Sequence, residues 1–206
     1  MKYVRAGLST LVLFVLVYFL DHPIGALPSL GQLLSPQHGF WQNAESKDHS
    51  YSEELTLPGL KGPVQVSFDD RLVPHVFAEN DEDLYYVQGY LHAKFRLFQI
   101  DLQTRAAEGR ASEFAGDKAL RFDREQRRLG MRFAAENALN EIEKDPLSKQ
   151  VFDAYTKGVN AYIDGLTQAE LPLEYKLLGV KPDRWSNIRS ALLLKMMARN
   201  LSSGTE

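Results

Sequence analysis

The chain has 206 residues, of which 44% are hydrophobic and 25% are charged. These values are typical of a globular protein, and the length supports one domain with at most a small appendage. The formal net charge of −3 gives no attraction towards nucleic acid, and the lack of cysteine excludes disulfides, thiol nucleophiles and Cys-ligated metal centres.

The N-terminus has the pattern of an export signal. Lys2 and Arg5 precede residues 6–20, which carry no charge. This apolar run is shorter than the roughly 20 residues of a membrane-spanning helix, although its flanks can extend it. No small-x-small cleavage site follows, so we favour a retained signal anchor over residues 1–21, ahead of a cleaved signal peptide or a buried core helix. The positive-inside rule then places the rest of the chain outside the cytoplasm.

Residues 22–62 are rich in Pro, Gly, Ser and Gln and show no sustained hydrophobic period. This composition predicts a spacer before a folded region over residues 63–206. That region opens with VQVSF (64–68), in which apolar and polar residues alternate, then DDRL and VPHVFA (73–78). The pattern predicts a β-hairpin, with Pro74 at an edge or at the start of a strand.

A long helix is predicted to follow. Asn80 is a good N-cap, and three acidic residues after it suit the helix N-terminus. Apolar residues then recur at steps of three and four, which predicts one continuous buried stripe over about five turns. The stripe consists of Leu84, Val87, Leu91, Phe95, Phe98 and Leu102. Gly89 and Ala93, four residues apart, leave a smooth strip where another element can approach closely. His92 has no partner at metal-ligand spacing.

Three further helices are predicted, over residues 123–144, over residues 147–165, and after Trp185 with Ser186 as the cap. Residues 170–185 between the last two form a compact loop. The basic cluster at 121–128 is interleaved with acidic residues, which favours a solvated or salt-bridged helix face over an anion site. A hairpin and four helices have little sheet to pack on, so we expect a domain that is incomplete by itself.

Several motifs in order resemble the penicillin acylase family of N-terminal-nucleophile hydrolases. The first is residues 73–116, with a Pro-His strand, a Gly-Tyr-x-x-Ala helix, an Arg-Leu-Phe-Gln run and Gly-Arg-x-Ser-Glu. FDREQRRLG (122–130), AYTKGVNAYI (154–163), LPLEYKLLG (171–179) and KPDRW (181–185) follow in the family's order. The resemblance covers residues 63–206. It implies an α+β fold: the mostly helical α-chain portion of the αββα hydrolase fold, with a short β-hairpin and an N-terminal hydrophobic anchor.

The resemblance also implies a reaction. Family members hydrolyse a non-peptide linear amide by acyl transfer, using a residue made N-terminal by self-cleavage as nucleophile and its own α-amine as base. An α-amine suits this role because its pKa is about 7.7–8.0. The family carries this machinery on a β chain, so we expect no catalytic residue here, and neither Ser202 nor Ser203 as nucleophile. The expected partners are that β chain, a small N-acyl amide substrate and a membrane, with no nucleic acid.

By the same resemblance, the α chain supplies part of the acyl-binding pocket. The family's Met-Ala-x-x-aromatic segment falls on residues 197–201, which makes Met197, Asn200 and Leu201 the pocket candidates. Phenylacetyl-specific members have Arg and Phe where this chain has Asn200 and Leu201, which suggests a differently shaped, aliphatic pocket. The alternative is that Met197 and Leu201, four apart, are core residues. The resemblance implies no organic cofactor and one structural calcium ion, for which Glu206 is the nearest candidate ligand.

Three functions remain open at this point. The first is an exported penicillin-acylase-like amidohydrolase on the periplasmic side of a bacterial inner membrane, anchored or secreted. The second keeps the fold and changes the substrate to acyl-homoserine lactones or another N-acyl amine. The third is a non-catalytic, membrane-tethered helical module that binds a partner. A long apolar stripe that the chain does not cover itself would indicate a missing β region.

Overall fold

The computed structural model describes residues 2–24, 29–37, 39–44 and 57–202. Ser203 and the predicted calcium ligand Glu206 lie outside the described residues. The chain forms two compact units. The N-terminal unit is Met1–Lys47 with Leu166–Lys181, and the main unit is Asp48–Gly165 with Pro182–Glu206.

The N-terminal unit contains four described helices: α1 (Lys2–Asp21), α2 (Leu30–Leu33), α3 (Trp41–Ala44) and α9 (Leu173–Leu178). Helix α1 is long and apolar enough to cross a membrane, a test that signal sequences also pass. None of its described residues is buried, so the interpretation of this segment as a buried core helix is wrong.

Helices α2 and α3 lie in the predicted spacer, and α9 lies in the predicted loop. Lys176 of α9 donates to Asn43 Oδ1 at 2.6 Å and to the Ala169 carbonyl at 3.2 Å. Asn43 in turn donates to the Leu171 carbonyl at 3.2 Å. These polar contacts hold part of the loop against residues from the start of the chain, which the hydrophobic pattern did not predict.

The predicted hairpin is confirmed in the main unit. Strands β1 (Val64–Phe68) and β2 (Pro74–Ala78) pair antiparallel, with Phe68 opposite Pro74 at the turn. The Asp69 carboxylate accepts hydrogen bonds from the backbone N–H groups of Arg71 and Val73 at 2.9 and 2.8 Å. This Asx-type turn tolerates the left-handed φ of 61° at Leu72. The apolar face of the hairpin packs on the first half of the next helix.

Helix α4 (Asp81–Glu108) begins where its sequence predicts. Asn80 Oδ1 accepts from the Asp83 backbone N–H at 2.9 Å, and the Asp83 carboxylate accepts from the Lys61 and Gly62 backbone N–H groups at 2.9 and 3.0 Å. The N-cap is therefore confirmed. It also ties the segment before β1 to the start of α4.

The continuous apolar stripe predicted along α4 is wrong beyond its midpoint. Arg96 has non-helical angles (φ −141°, ψ 21°), which kink the helix. Val87 and Leu91 before the kink are buried, whereas Phe95 and Leu102 are exposed. After the kink, the buried residues are Leu97, Asp101, Thr104, Arg105 and Ala107. The kink turns a different and partly polar face towards the rest of the main unit, and this face carries the charged contacts described below.

Helix α8 (Pro146–Gly165) packs closely against the first half of α4. A Cβ on Gly89 would lie 2.2 Å from the Tyr155 carbonyl oxygen, and a Cβ on Gly158 would lie 1.9 Å from the Tyr86 carbonyl oxygen. Ala93, one turn after Gly89, is fully buried. The close approach predicted at Gly89 and Ala93 is confirmed, with α8 as the neighbouring element.

The helix predicted over residues 123–144 is two helices. After α5 (Ser112–Ala115) and a 3₁₀ turn (Gly116–Ala119), α6 runs over Leu120–Arg128 and α7 over Met131–Ile142. Gly130 adopts a left-handed φ of 67° and separates them. Helix-like periodicity continues across residues 129–130, so the pattern alone does not reveal the break.

Helix α10 (Asn187–Ser202) confirms the last predicted helix. Ala191 and Leu192 are buried with Ala107 of α4 and Ala135 of α7, and Ile188 packs against this cluster. Leu194, Met197 and Leu201 lie outside this cluster and are exposed. Two of these three residues, Met197 and Leu201, are pocket candidates.

Candidate functional site

The segment that leads into α10 is held by polar side chains of α8. The Trp185 backbone N–H donates to Asn160 Oδ1 at 2.8 Å, and Asn160 Nδ2 donates to the Trp185 carbonyl at 3.0 Å. Trp185 Nε1 also donates to Ser190 Oγ at 3.0 Å. One amide therefore satisfies both backbone groups of Trp185, which fixes the direction in which α10 begins.

Asn187, the first residue of α10, makes a second set of contacts. Its Nδ2 donates to Asp153 Oδ1 at 2.7 Å and to Glu143 Oε1 at 3.2 Å, while its Oδ1 accepts from Thr156 Oγ1 at 2.7 Å. Burial raises the pKa of Asp153, but hydrogen bonds from Lys149 and Asn187 outweigh it, so the net pKa lies below its ordinary value. A charged carboxylate thus faces the Asn187 amide.

A buried ion cluster joins α10 to the second half of α4. Asp101 and Arg105 of α4 and Arg189 of α10 have side chains that are at most 5% exposed. Asp101 Oδ1 lies 3.0 Å from Arg105 Nε and 2.9 Å from Arg189 Nη2, and Asp183 bridges the same two guanidinium groups at 3.0 Å each. Arg189 Nη1 has no hydrogen-bond partner among the described residues. Removal of Asp101 would leave two buried guanidinium groups without their buried carboxylate, which is strongly destabilising.

The same cluster orders the turn after α4. Arg110 Nη2 lies 2.9 Å from Asp183 Oδ2, and Glu113 contacts both Arg105 and Arg110. A hydrogen bond with Glu113 is the largest influence on Arg110 and raises its pKa. The predicted Gly-Arg-x-Ser-Glu motif therefore has a structural explanation, because its Arg and Glu complete the ion cluster.

Helix α6 attaches to this turn through polar groups. The buried Asp123 carboxylate accepts from the Ala111 and Ser112 backbone N–H groups at 2.8 Å each, and Arg127 Nε donates to the Gly109 carbonyl at 3.0 Å. Burial raises the pKa of Asp123, but hydrogen bonds, of which those from Ser112 are the largest, lower it by more. The net pKa therefore lies below its ordinary value. The charged cluster at 121–128 was predicted to be solvated or salt-bridged. Two of its members, Asp123 and Arg127, instead form hydrogen bonds with backbone groups of residues 109–112.

The pocket candidates lie together at the end of α10. Met197 is 60% exposed and Leu201 is 82% exposed, and Asn200 is also exposed. Neither Met197 nor Leu201 is buried among the described residues of the main unit, so the alternative that they are core residues is not supported there. Their role in an acyl pocket stays a prediction from the resemblance.

Sequence reasoning missed two residues next to these candidates. Arg199 Nη1 donates to Gln126 Oε1 of α6 at 3.0 Å, and Gln126 is only 4% exposed. The usable signal was the spacing of Asp123 and Gln126, three apart on one face of α6, which is the face that turns inward. That face was overlooked because buried helix faces are usually apolar.

Other side chains of types that can act in catalysis or bind metals make structural contacts here. His92 Nδ1 lies 3.1 Å from the Tyr155 hydroxyl, burial lowers the pKa of His92, and burial raises that of Tyr155 to about 12. Ser202 Oγ donates to the Arg199 carbonyl at 3.1 Å, within the last turn of α10. Across the described residues, no group of three or more His, Asp or Glu side chains is arranged to hold a metal ion.

Comparisons with known proteins agree on one family. A family model described as penicillin amidase matches residues 63–206. Penicillin acylase 2 proenzyme of Pseudomonas sp. (strain SE83) is 36% identical over 152 residues, which are 74% of this chain and 19% of that protein. Acyl-homoserine lactone acylase QuiP of Pseudomonas syringae pv. syringae (strain B728a) is 33% identical over 151 residues, or 73% of this chain and 18% of that protein.

A solved structure is also similar. The thermostable penicillin G acylase from Alcaligenes faecalis superposes with a TM-score of 0.62 and 28% identity, covering 70% of this chain and 76% of that chain. This chain spans less than a fifth of the length of the two curated relatives above. The match is therefore to one region of a larger protein.

Proposed function

Because the chain belongs to the penicillin amidase family, we propose that its residues are the α-chain region of an enzyme that hydrolyses a non-peptide linear amide by acyl transfer. The observation that carries this proposal is the family match over residues 63–206. It is supported by the relatives named as penicillin acylase and acyl-homoserine lactone acylase.

In this proposal the reacting groups lie outside residues 1–206. The nucleophile is the side chain of an N-terminal residue on a β chain, and its α-amine is the base. Since such an amine titrates near neutral pH, it can accept the proton of the attacking hydroxyl and later return one to the leaving amine. Donors on the β chain hold the oxyanion of the tetrahedral intermediate.

The chain described here supplies the scaffold and one wall of the acyl pocket. Met197 and Leu201 project from the exposed side of α10, where an acyl group can contact both, and Asn200 adds a polar group beside them. Leu201 stands where phenylacetyl-specific members have Phe, and this aliphatic side chain favours a flexible aliphatic acyl group. A methylene more or less in such a pocket changes transition-state binding by about 1–3 kcal/mol.

An N-acyl-homoserine lactone is the second candidate substrate. It has the same type of amide bond and an aliphatic acyl chain, and one relative of comparable identity carries that activity in its name. The two candidates differ in the amine that leaves. In this proposal, residues of the β chain contact the leaving amine. Residues 1–206 therefore do not distinguish the two substrates, and an activity assay is needed to do so.

The proposed β chain would also cover exposed apolar surface of the main unit. Large hydrophobic side chains that are at least 44% exposed include Phe77, Phe95, Phe133, Leu194, Met197 and Leu201. Burial of these side chains under a partner chain would remove their apolar surface from water, which favours association. A partner chain that packs on these residues would also complete the acyl pocket at the end of α10.

We propose export for the complete protein, to the periplasmic side of a bacterial inner membrane. The support is the exposed apolar helix α1 behind a basic N-terminus, which suits a retained anchor or a signal peptide.

We also propose a structural calcium ion with Glu206 as one of its ligands. If this is correct, a chelator lowers the melting temperature of the complete protein, and the Glu206→Gln variant loses most of that response.

The test uses the full-length precursor, purified and examined by intact mass spectrometry. We expect two chains, the second beginning with Ser, Thr or Cys, and hydrolysis of an N-acyl amide that is lost when this residue is replaced by Ala. An aliphatic N-acyl amide, a phenylacetyl amide and an N-acyl-homoserine lactone are assayed in parallel. A single unprocessed chain without turnover would contradict the proposal and favour a membrane-tethered binding module. Turnover by residues 1–206 alone would contradict the placement of the nucleophile.

A further inference from the structure

We propose that Gln126 and Arg199 form a latch that positions the end of α10, and that both are positioning residues for acyl-group selectivity. The inference rests on the proposed function, because it concerns the pocket candidates Met197, Asn200 and Leu201. Its basis is the contact between the two side chains, the burial of Gln126 and the anchoring of α6.

The latch is a hydrogen bond between a buried acceptor and a partly exposed donor. Gln126 Oε1 accepts from Arg199 Nη1 at 3.0 Å, while the Arg199 side chain is 38% exposed. Glu125, whose carboxylate lies 3.9 Å from Arg199 Nη2, adds attraction in a solvated position. Because water reaches Arg199, loss of the bond leaves its charge solvated and does not unfold the helix.

The acceptor side of the latch is rigid. Asp123 holds the backbone of Ala111 and Ser112, and Arg127 holds the Gly109 carbonyl, so α6 is attached on both sides of Gln126. The turn that α6 attaches to is itself held by the buried ion cluster of α4. The position of Gln126 is therefore set by contacts other than its bond to Arg199.

The donor side of the latch lies among the pocket candidates. Arg199 follows Met197 by two residues and directly precedes Asn200 and Leu201. Helix ends fray, because their last carbonyl groups have no intrahelical donor. A bond from Arg199 to a fixed acceptor holds this turn helical, and it holds the neighbouring side chains on the side away from α6. Without the bond, the side chains of Met197 and Leu201 would be mobile and would contact the acyl group less well.

Three variants of the mature full-length enzyme test the latch: Gln126→Met, Arg199→Met and the double variant. Gln103→Met, on the exposed side of α4, is the matched control, and Gln126→Glu retains the acceptor. We measure kcat and KM for an aliphatic and a phenylacetyl amide, together with the melting temperature.

We expect each single Met variant to raise KM for the aliphatic amide about three- to tenfold, as expected for the loss of one hydrogen bond that orders a binding site. The kcat stays within about twofold, because the reacting groups are elsewhere. The ratio of kcat/KM between the two substrates also changes. The double variant matches the single ones because both remove the same contact. Gln126→Glu and Gln103→Met behave like the parent enzyme.

A purely structural role would lower the melting temperature and leave the substrate ratio unchanged, which would overturn the proposal. Additive effects of the two single variants would overturn it as well. Hydrogen exchange of residues 194–202 provides a readout that needs no turnover. If the parent enzyme hydrolyses none of the amides, the proposed function fails, and the latch is then judged by exchange alone. Equal exchange in Gln126→Met and Gln103→Met would refute it.

Discussion

Replacement of Gly158 by Ala should destabilise the protein, although Ala is the better helix former. The added Cβ would lie 1.9 Å from the Tyr86 carbonyl oxygen and 2.8 Å from the carbonyl carbon, whereas no real Cβ contact lies below about 3 Å. The obstacle is backbone of α4, which cannot rotate away as a side chain can. Helices α4 and α8 must therefore separate at the centre of the main unit.

The magnitude follows from two opposing contributions. Overpacking of a tight core costs about 1–3 kcal/mol, and the short distance places Gly158 at the upper end of this range. The better helix propensity of Ala returns about 1 kcal/mol. The net loss is about 2 kcal/mol in the free energy of unfolding. In the unfolding of a cooperative unit of about 150–250 residues, such a loss lowers the melting temperature by about 4–8 °C.

The assay is thermal and urea denaturation of the full-length protein, followed by circular dichroism. Gly165→Ala, at the end of the same helix, is the matched control, since a Cβ there meets no atom within 4 Å. Gly89→Ala, whose Cβ would lie 2.2 Å from the Tyr155 carbonyl oxygen, should behave like Gly158→Ala. If Gly158→Ala melts within 1 °C of the parent protein, the argument from close helix approach is refuted.

Three further predictions concern polar groups of the main unit. Asn80→Ala removes the N-cap of α4 and should lower the free energy of unfolding in urea by about 1 kcal/mol; no loss would show that the cap is dispensable. The folded-state pKa of Asp123 is lowered, so its carboxylate stabilises the protein above the unfolded pKa of about 3.9, and this stability is lost as pH falls. Asp123→Asn should therefore be less stable than the parent at pH 7 and lose less stability on acidification, and parallel pH curves would contradict this. Arg189→Met breaks a buried pair with Asp101 and should lower the free energy of unfolding in urea by about 3–5 kcal/mol. Arg184→Met breaks an exposed pair with Asp164 and should change it by no more than about 0.5 kcal/mol. Similar losses in the two variants would contradict the role of burial.

Local signals in the sequence predicted the elements well where one kind of interaction dominates. The hairpin follows from alternation and Pro74, and the start of α4 follows from Asn80. The close approach at Gly89 follows from two small residues four apart. In each case the residues that carry the signal are neighbours in sequence, so a short pattern contains the whole explanation.

The failures occur where the explanation is not local. The kink at Arg96 has no Pro or Gly to announce it, and the face buried beyond it includes Asp101 and Arg105. These side chains are buried because partners arrive from Asp183 and Arg189, about 80 residues later along the chain. A periodicity that counts apolar residues cannot detect such a face.

The candidate site divides in the same way. The pocket candidates came from a resemblance, and the structure places them on the exposed side of α10. The spacing of Asp123 and Gln126 places both on one face of α6, but it does not show that this face turns inward, because that depends on bonds to the turn at residues 109–112. Spatial neighbours 73 residues apart, such as Gln126 and Arg199, have no signature in one sequence.

The kink at Arg96 gives the two halves of one helix different sensitivities to the environment. The half before it is held by apolar contacts of Tyr86, Val87 and Leu91, which weaken on cooling. The half after it is held largely by buried carboxylate–guanidinium pairs around Asp101, which do not depend on the hydration of apolar surface. Cooling should therefore loosen the start of α4 first, while the end that holds α6 and α10 keeps its contacts.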